Sequence, residues 1–128
     1  MKFKNLKALV VDDDQAVRLI VSRTLASIEI NCEVVSDGTK AIEKLSKENF
    51  DFIIMDVRMP EQDGLDAVRW IRDLSDVKRK NMPIFALTNY STGDHTKEIL
   101  EAGYNAHLVK PLDLEELTPL LEKYFGQK

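Results

Sequence analysis

The sequence predicts an α/β fold in which one five-stranded parallel sheet lies between two layers of helices. Two observations lead to this doubly wound architecture. Short apolar runs alternate with amphipathic stretches along the chain, and four of the five runs end in a polar residue suited to chemistry. Alternating strands and helices form right-handed crossovers, so the strands run parallel and helices cover both faces of the sheet. The length suits a single domain, residues 1–128, with a core at about residues 6–125.

The apolar runs are short and rich in β-branched and aromatic residues, which is typical of buried strands. The predicted strands are Leu6–Asp12, Cys32–Ser36, Phe50–Met55, Pro83–Leu87 and Ala106–Val109. The stretches that follow the strands carry apolar residues at helical spacing. The predicted helices are Gln15–Ile28, Thr39–Asn49, Leu65–Leu74, Thr92–Ala102 and Leu114–Phe125.

Capping residues mark several helix ends. Asp14 and Asp113 precede the first and fifth helices, where a carboxylate can accept hydrogen bonds from free backbone N–H groups. Gly103 follows the fourth helix, as glycine often does at a helix end. The apolar spacing predicts that Ile20 in the first helix and Trp70 in the third helix face the core.

Composition narrows the class of protein. The net charge of −4 argues against direct nucleic-acid binding, which needs a basic face, and the run Lys78–Lys80 is interpreted as a solvated loop. The single cysteine, Cys32, cannot form an intrachain disulfide. No apolar stretch approaches the ~20 residues that span a bilayer, and residues 1–7 lack the apolar centre of a signal peptide. We therefore expect a cytoplasmic protein without membrane insertion.

The carboxyl ends of the strands gather the residues suited to chemistry. Asp12 and Asp13 follow the first strand, Asp56 the third, Thr88 the fourth and Lys110 the fifth. Each alone has an ordinary interpretation, such as a turn residue or a solvated charge. In a parallel sheet, however, all of them lie at the edge where ligands of such sheets bind. Carboxylates gathered there repel one another, so we expect a cation to hold them together.

The motifs around these positions resemble those of the response-regulator receiver domain of bacterial two-component systems, over essentially the whole chain. They are Leu9–Asp14, Ile54–Pro60, Asp63-Gly64, Ala86–Thr88 and Leu108–Pro111. The likeness is to receivers of the chemotaxis-regulator type, and Glu101–Tyr104 is similar to receivers of hybrid histidine kinases. It implies a flavodoxin-like fold and a phosphoryl group on Asp56, received from a phosphohistidine of a sensor kinase or a histidine phosphotransfer domain.

The resemblance also implies a magnesium site. Asp13 and Asp56 would bind Mg²⁺ directly, together with the backbone carbonyl of Arg58, and Asp12 would act through water. Mn²⁺ would be able to substitute. A hard divalent cation suits such an oxygen-rich site. Asp14 keeps its interpretation as the cap of the first helix.

Further groups would stabilise the phosphoryl oxygens. By resemblance, Lys110 would pair first with Asp56 and then with one phosphoryl oxygen. Thr88 would donate its hydroxyl to another, the backbone N–H of Asn89 would assist, and the Lys110–Pro111 peptide bond would be cis. Positioning and charge neutralisation of this kind account for most of the catalysis in phosphoryl transfer. The domain would catalyse its own phosphorylation and slow autodephosphorylation without being an enzyme in the usual sense.

Signal output would begin at Thr88. In the family its hydroxyl turns toward the phosphoryl group while an aromatic residue of the fifth strand moves inward, and His107 occupies that position here. The alternative is that His107 is a partly exposed strand residue without this role. The fourth helix, fifth strand and fifth helix would bind a downstream protein or effector domain, with Tyr90, Tyr104 and Leu112 as candidate contacts. The domain would be a monomer or a weak dimer that forms on phosphorylation.

Three positions would control access to the phosphoryl group and its lifetime. Asn89 stands where the family usually has a small residue, so we expect slow reaction with small phosphodonors. Arg58 and Tyr90 would shield the acyl phosphate from water and give it a slow-to-moderate rate of hydrolysis.

Three other classes of protein compete with this interpretation. A phosphatase of the haloacid-dehalogenase type needs a second Asp two residues after its nucleophile, where this chain has Arg58. A Rossmann-type enzyme needs a glycine-rich loop after the first strand, which is missing. A receiver-like module that binds partners without phosphorylation stays open as the alternative. The sequence does not reveal the cognate kinase, the output pathway, or whether the receiver stands alone or belongs to a hybrid kinase.

Overall fold

The computed structural model describes residues 3, 5–57, 64–74, 76–89 and 93–126, and it describes the backbone alone at residues 64, 65, 79 and 93–96. Its strands are β1 Lys7–Val11, β2 Asn31–Val35, β3 Phe52–Asp56, β4 Ile84–Thr88 and β5 Ala106–Val109. They pair in parallel in the order β2-β1-β3-β4-β5. The prediction of a doubly wound, flavodoxin-like sheet is confirmed.

Six helices connect and follow the strands in the described part of the chain. They are α1 Gln15–Ser27, α2 Gly38–Lys47, α3 Gly64–Arg72, α4 Val77–Lys80, α5 Gly93–Ala102 and α6 Leu114–Phe125. The extra helix, α4, is a single turn, so the predicted fourth and fifth helices are α5 and α6. The predicted element ends agree with the structure to within two residues, which is the usual uncertainty of a frayed helix or strand end.

Alternate residues of the central strands pack into two separate cores, one on each face of the sheet. On one face Leu9 and Ile53 pack among residues of α2, α3 and α5. On the other face Val10 and Phe52 pack among residues of α1 and α6. Strands β3 and β4 are buried along their whole length. Because these strands carry apolar residues on both faces, they are buried between the two helical layers. Their parallel pairing places their carboxyl ends at the same edge of the sheet.

The predicted caps are present. Asp14 Oδ1 accepts a 2.8 Å hydrogen bond from Ala16 N at the start of α1, and Asp113 Oδ1 accepts one of 2.9 Å from Glu115 N at the start of α6. Gly103 ends α5 with φ of +119°, a conformation that favours glycine. These local contacts fix where the helices that flank the site begin and end.

Two predictions about exposure and one about secondary structure are wrong. Ile20 and Trp70 were expected to face the core, but they are 45% and 40% exposed. Each lies beside a fully buried neighbour, Val21 or Ile71, at the margin of the buried stripe, and apolar spacing alone does not define how wide that stripe is. The basic run 78–80 was expected in a loop, but it lies in α4. No helix in the described part of the chain combines the length and apolarity needed to cross a membrane.

Candidate functional site

The carboxyl edge of the sheet brings the main predicted site residues together. Val11 lies opposite Met55 in the β1–β3 register, so the residues that follow them end neighbouring strands at the same level. Thr88 lies opposite Val109 in the β4–β5 register, directly before the last site residue. The residues that meet at this edge are Asp12, Asp13, Asp56, Thr88 and Lys110.

Three carboxylates form a compact acidic cluster. Asp12, Asp13 and Asp56 each offer an oxygen atom, and these atoms all lie within 4.8 Å of one another. Asp12 is fully buried and Asp56 is 6% exposed, whereas Asp13 is exposed to solvent. Burying like charges so close together is unfavourable unless a cation neutralises them. The cluster is therefore suited to binding a cation that enters from the side of Asp13.

Lys110 supplies one positive charge to this cluster. Its Nζ lies 3.0 Å from Asp12 Oδ2 and 3.4 Å from Asp56 Oδ2, so the ammonium bridges both carboxylates and is closer to Asp12. Burial alone would lower the pKa of Lys110, but its contacts with Asp12 and the charge of Asp56 outweigh burial and raise that pKa above its ordinary value. Lys110 thus stays charged, and one ammonium faces three carboxylates.

Asp12 keeps one buried oxygen atom for a further cation. Its Oδ1 accepts a 2.9 Å hydrogen bond from Asp14 N. Its Oδ2 is buried, and beyond the 3.0 Å ion pair with the Lys110 ammonium it accepts no further hydrogen bond from the described residues. The charge of this oxygen is incompletely neutralised, because Lys110 also pairs with Asp56, and hard divalent cations prefer such oxygen ligands. The residues present therefore fit Mg²⁺.

The remaining predicted site residues lie around this cluster or outside the described residues. Thr88 is 4% exposed, and its carbonyl accepts a 2.8 Å hydrogen bond from Lys110 N. Asn89 is exposed and lines a cavity of about 270 Å³ beside Lys110. Arg58 and Tyr90 lie outside the described residues. The peptide bond between Lys110 and Pro111 is cis, as the resemblance implies.

The output face is only partly as expected. His107 is half-buried on β5, opposite Ala86 of β4. Tyr104 and Leu112 were expected as surface contacts, but they are 3% and 7% exposed, so that prediction is wrong. The hydroxyl of Tyr104 lies 3.5 Å from the backbone carbonyl of Asp56, behind the acidic cluster. No sequence signal marks this contact, because it joins residues 48 positions apart.

Comparison with known proteins decides the family. The family model of the response regulator receiver domain matches residues 8–122. The chain belongs to this family. Chemotaxis protein CheY-3 of Vibrio cholerae is 34% identical over 123 residues, which are 95% of this chain and 93% of that protein. The solved chemotaxis response regulator CheY4 of Vibrio cholerae is 34% identical, with a TM-score of 0.82 over 93% of this chain and 98% of that one.

A second solved structure bears on the acidic cluster. It is the receiver domain of the sensor histidine kinase PA1611 from Pseudomonas aeruginosa PAO1, which is 30% identical with a TM-score of 0.84. The match covers 95% of this receiver domain and 98% of that chain. The PA1611 receiver domain holds a magnesium ion coordinated in its active-site cleft.

Membership of this family establishes the general activity of the chain. It is a chemotaxis-regulator-like receiver domain that acts as a phosphoacceptor in two-component signalling, and the phosphorylation-independent module is not favoured. Receiver domains interact with histidine kinases and histidine phosphotransfer proteins, and they are generally not classed as enzymes. The phosphatase and dinucleotide-binding alternatives have no support from the family match.

Proposed function

We propose that Asp56 is the phosphoacceptor of this receiver domain. A carboxylate oxygen of Asp56 attacks the phosphorus of a phosphohistidine, the phosphorus–nitrogen bond breaks, and the imidazole nitrogen leaves with the electron pair. An acyl phosphate on Asp56 and a free histidine result. The observation that carries the proposal is the position of Asp56 in the acidic cluster, where its Oδ2 lies 3.4 Å from the Lys110 ammonium.

Asp13 and Asp56 are proposed as direct ligands of Mg²⁺, with the backbone carbonyl of Arg58, while Asp12 acts through water. When bound, the ion neutralises charge on the phosphoryl oxygens. The buried Oδ2 of Asp12 and the oxygen-only donor set support a hard divalent cation here. Mn²⁺ prefers the same ligand type and is expected to substitute.

Lys110 and Thr88 are proposed to hold the phosphoryl oxygens. In the unphosphorylated domain the Lys110 ammonium forms ion pairs with both Asp12 and Asp56. When the Asp56 carboxylate becomes an acyl phosphate, that ammonium moves to one phosphoryl oxygen and the Thr88 hydroxyl donates to another. The backbone N–H of Asn89 assists. The transfer is self-catalysed, since the charge is neutralised by groups of the receiver domain itself.

The switch is proposed to run from Thr88 to His107. Thr88 turns toward the phosphoryl group, and His107 on the neighbouring strand moves inward. Thr88 of β4 lies opposite Val109 of β5 in the strand register, and Val109 comes two residues after His107. The surface of α5, β5 and α6 then presents a changed face to a downstream protein or effector domain. The domain is proposed to work in the cytoplasm as a monomer or a weak dimer that forms on phosphorylation.

Access and lifetime are proposed to depend on Asn89, Arg58 and Tyr90. The exposed side chain of Asn89 lines the cavity next to Lys110, and we propose that it narrows the approach to Asp56. Arg58 and Tyr90 are proposed to shield the acyl phosphate from water. We also propose that residues 1–128 form one receiver domain without direct nucleic-acid contacts, consistent with the net charge of −4.

The experiment that tests the proposal is intact-mass measurement after incubation with phosphoramidate and Mg²⁺. We expect a single phosphoryl adduct on the wild-type chain, none on Asp56→Asn, and none when a chelator removes the metal. Asp73→Asn is the matched control, because Asp73 is an exposed aspartate that directly follows α3, at the end of the helix away from the cluster. An adduct that persists in Asp56→Asn would show that another residue accepts the phosphoryl group.

A further inference from the structure

Arg18 bonds directly to the backbone of Asp12. The Arg18 side chain begins in the first turn of α1 and reaches back to the end of β1, where its Nη1 donates a 2.8 Å hydrogen bond to the Asp12 carbonyl. Asp12 is fully buried, whereas Arg18 is half-buried. The contact therefore ties the helix that follows the acidic loop to the loop itself.

The other polar atoms of Asp12 show what this contact adds. Its backbone N–H donates to the Val35 carbonyl at 3.2 Å, and its Oδ1 accepts from Asp14 N at 2.9 Å. With the Arg18 bond, three of its four polar atoms are hydrogen-bonded, and Oδ2 faces Lys110 and the cation site. A residue held at its N–H, its carbonyl and one carboxylate oxygen has little freedom to turn the other carboxylate oxygen away.

The same bond restrains Asp13. The carbonyl of Asp12 belongs to the peptide unit that continues into Asp13, and a peptide unit is planar. Fixing the carbonyl direction therefore fixes the positions of Asp13 N and Cα, from which the Asp13 side chain starts. One guanidinium contact thus restrains the backbone that carries two of the three carboxylates of the cluster.

We infer that Arg18 is a positioning residue of this receiver domain, which holds Asp12 and Asp13 in the arrangement that binds a divalent cation. Its consequence for phosphoryl transfer rests on the proposed function of Asp56. Groups that hydrogen-bond the ligands of a metal without touching the metal commonly set its affinity.

Loss of the Arg18 charge and loss of its hydrogen bond are expected to change the Mg²⁺ affinity in opposite directions, which makes the inference testable. A guanidinium near the carboxylates repels Mg²⁺, so removing only its charge would strengthen Mg²⁺ binding. Removing its hydrogen bond leaves the buried Asp12 carbonyl without this donor and loosens the loop, which weakens Mg²⁺ binding. The sign of the change in dissociation constant therefore separates the two effects.

The test is calorimetric titration of the metal-free full chain with Mg²⁺. We expect Arg18→Met and Arg18→Gln to raise the Mg²⁺ dissociation constant about tenfold. Arg18→Lys, whose ammonium can donate to the same carbonyl, is expected to recover part of the affinity. Arg23→Met is the matched control, since Arg23 lies exposed later in α1. Unchanged or tighter binding in Arg18→Met would overturn the inference, and Arg18→Gln decides if Arg18→Met does not fold.

A second measurement separates positioning from a general structural defect. The Mg²⁺ concentration that gives half-maximal phosphorylation by phosphoramidate is expected to rise in Arg18→Met by the same factor as the dissociation constant. The rate at saturating Mg²⁺ is expected to stay near the wild-type rate, and a collapse of that rate would count against positioning. If the wild-type chain takes up no phosphoryl group while the Mg²⁺ titrations behave as expected, the proposed function fails and the positioning role of Arg18 stands.

Discussion

At the carboxyl edge of the sheet, one ammonium group faces three carboxylates, and a buried oxygen of Asp12 accepts no hydrogen bond from the described residues. Toward the opposite, amino edge, two lysines and two glutamates alternate. Lys7 Nζ lies 2.7 Å from Glu48 Oε1 and 3.3 Å from Glu33 Oε2, and Lys44 contacts the same two glutamates. Charge is therefore unbalanced at the first edge and balanced at the second.

The hydrogen bonds of Arg72 at the amino edge are likewise satisfied within the domain. It donates to the carbonyls of Gly103, Lys80 and Met82 at 2.7–2.9 Å and to Asn105 Oδ1 at 2.7 Å. One half-buried side chain at the end of α3 thus holds the ends of α4 and α5 and the approach to β4. Burial lowers the pKa of Arg72, but a guanidinium stays charged in proteins.

The difference between the edges separates stability from function. The polar groups named at the amino edge bond to one another, so they contribute to folding and have less capacity for a ligand. Groups at the carboxyl edge keep that capacity for a cation and a phosphoryl group, at a cost in folding free energy. Substitutions that remove a contact at the amino edge should therefore destabilise the domain, whereas removal of a carboxylate at the carboxyl edge should stabilise it. The largest change is expected at Arg72 and the smallest at Glu48.

Arg72→Met is expected to lower the free energy of unfolding by about 3 kcal/mol, because four acceptors, two of them in part-buried contacts, lose a charged donor. Urea unfolding measures the change. Arg69→Met on the same helix is the control, since the Arg69 side chain is 60% exposed and lies 3.7 Å from Asp66 in a weak ion pair. A loss of unfolding free energy below about 1 kcal/mol would contradict the inference that the Arg72 hydrogen bonds stabilise this edge.

Gly103→Ala is expected to cost about 2 kcal/mol of unfolding free energy. The residue has φ of +119°, and an added Cβ would lie 3.0 Å from both Val68 Cγ1 and Arg72 Cγ. Glu29→Gly is the counterpart of opposite sign, because Glu29 holds φ of 67° with a side chain. Thermal unfolding of both variants checks the pair, and equal changes in the same direction would exclude backbone strain as the cause.

Asp13→Asn is expected to stabilise the metal-free domain by about 0.5–1 kcal/mol, because it removes one of three repelling carboxylates. The same change is expected to abolish the rise in melting temperature that the proposed binding of Mg²⁺ to the folded state would give. Melting curves with and without Mg²⁺ measure both effects. The exposed residue Asp73 provides the control variant Asp73→Asn, for which the Mg²⁺ effect should remain.

Glu48→Gln is expected to have the smallest effect and to depend on pH. Hydrogen bonds from Lys7 and then Lys44 lower the pKa of Glu48 from 4.5 to about 2. A lowered pKa in the folded state gives stability that is present above pH 4.5 and is lost as the pH falls through about 2.

The wild-type chain should therefore melt at a higher temperature than Glu48→Gln at neutral pH, and the difference should disappear between pH 4.5 and 2. High salt should reduce the difference, because these side chains are partly exposed. Glu43→Gln is the control, because Glu43 has an exposed side chain on α2, the helix that Glu48 directly follows. A difference that grows as the pH falls would contradict the lowered pKa.

Local chemistry was sufficient to determine the five strands, the five longer helices and the membership of the acidic cluster, but not the single-turn helix α4. The bounds Leu114–Phe125 of the last helix follow from Asp113 as a cap and from apolar spacing, and the structure has the same bounds. Asp12, Asp56 and Lys110 could be placed at one edge because each follows a strand, and parallel strands end together. Strand and helix patterns are properties of neighbouring residues, so one sequence is enough to predict them.

Tertiary packing alone decided which of these groups touch. Lys110 bridges Asp12 and Asp56 and is nearer to Asp12, whereas the resemblance implied a pair with Asp56. The Tyr104 hydroxyl behind the site and the Arg72 contacts join residues up to 48 positions apart. The exposure of Ile20 was also set by the way α1 lies on the sheet. Local spacing gives the direction of a side chain, but its partners within about 3 Å depend on how distant elements pack together.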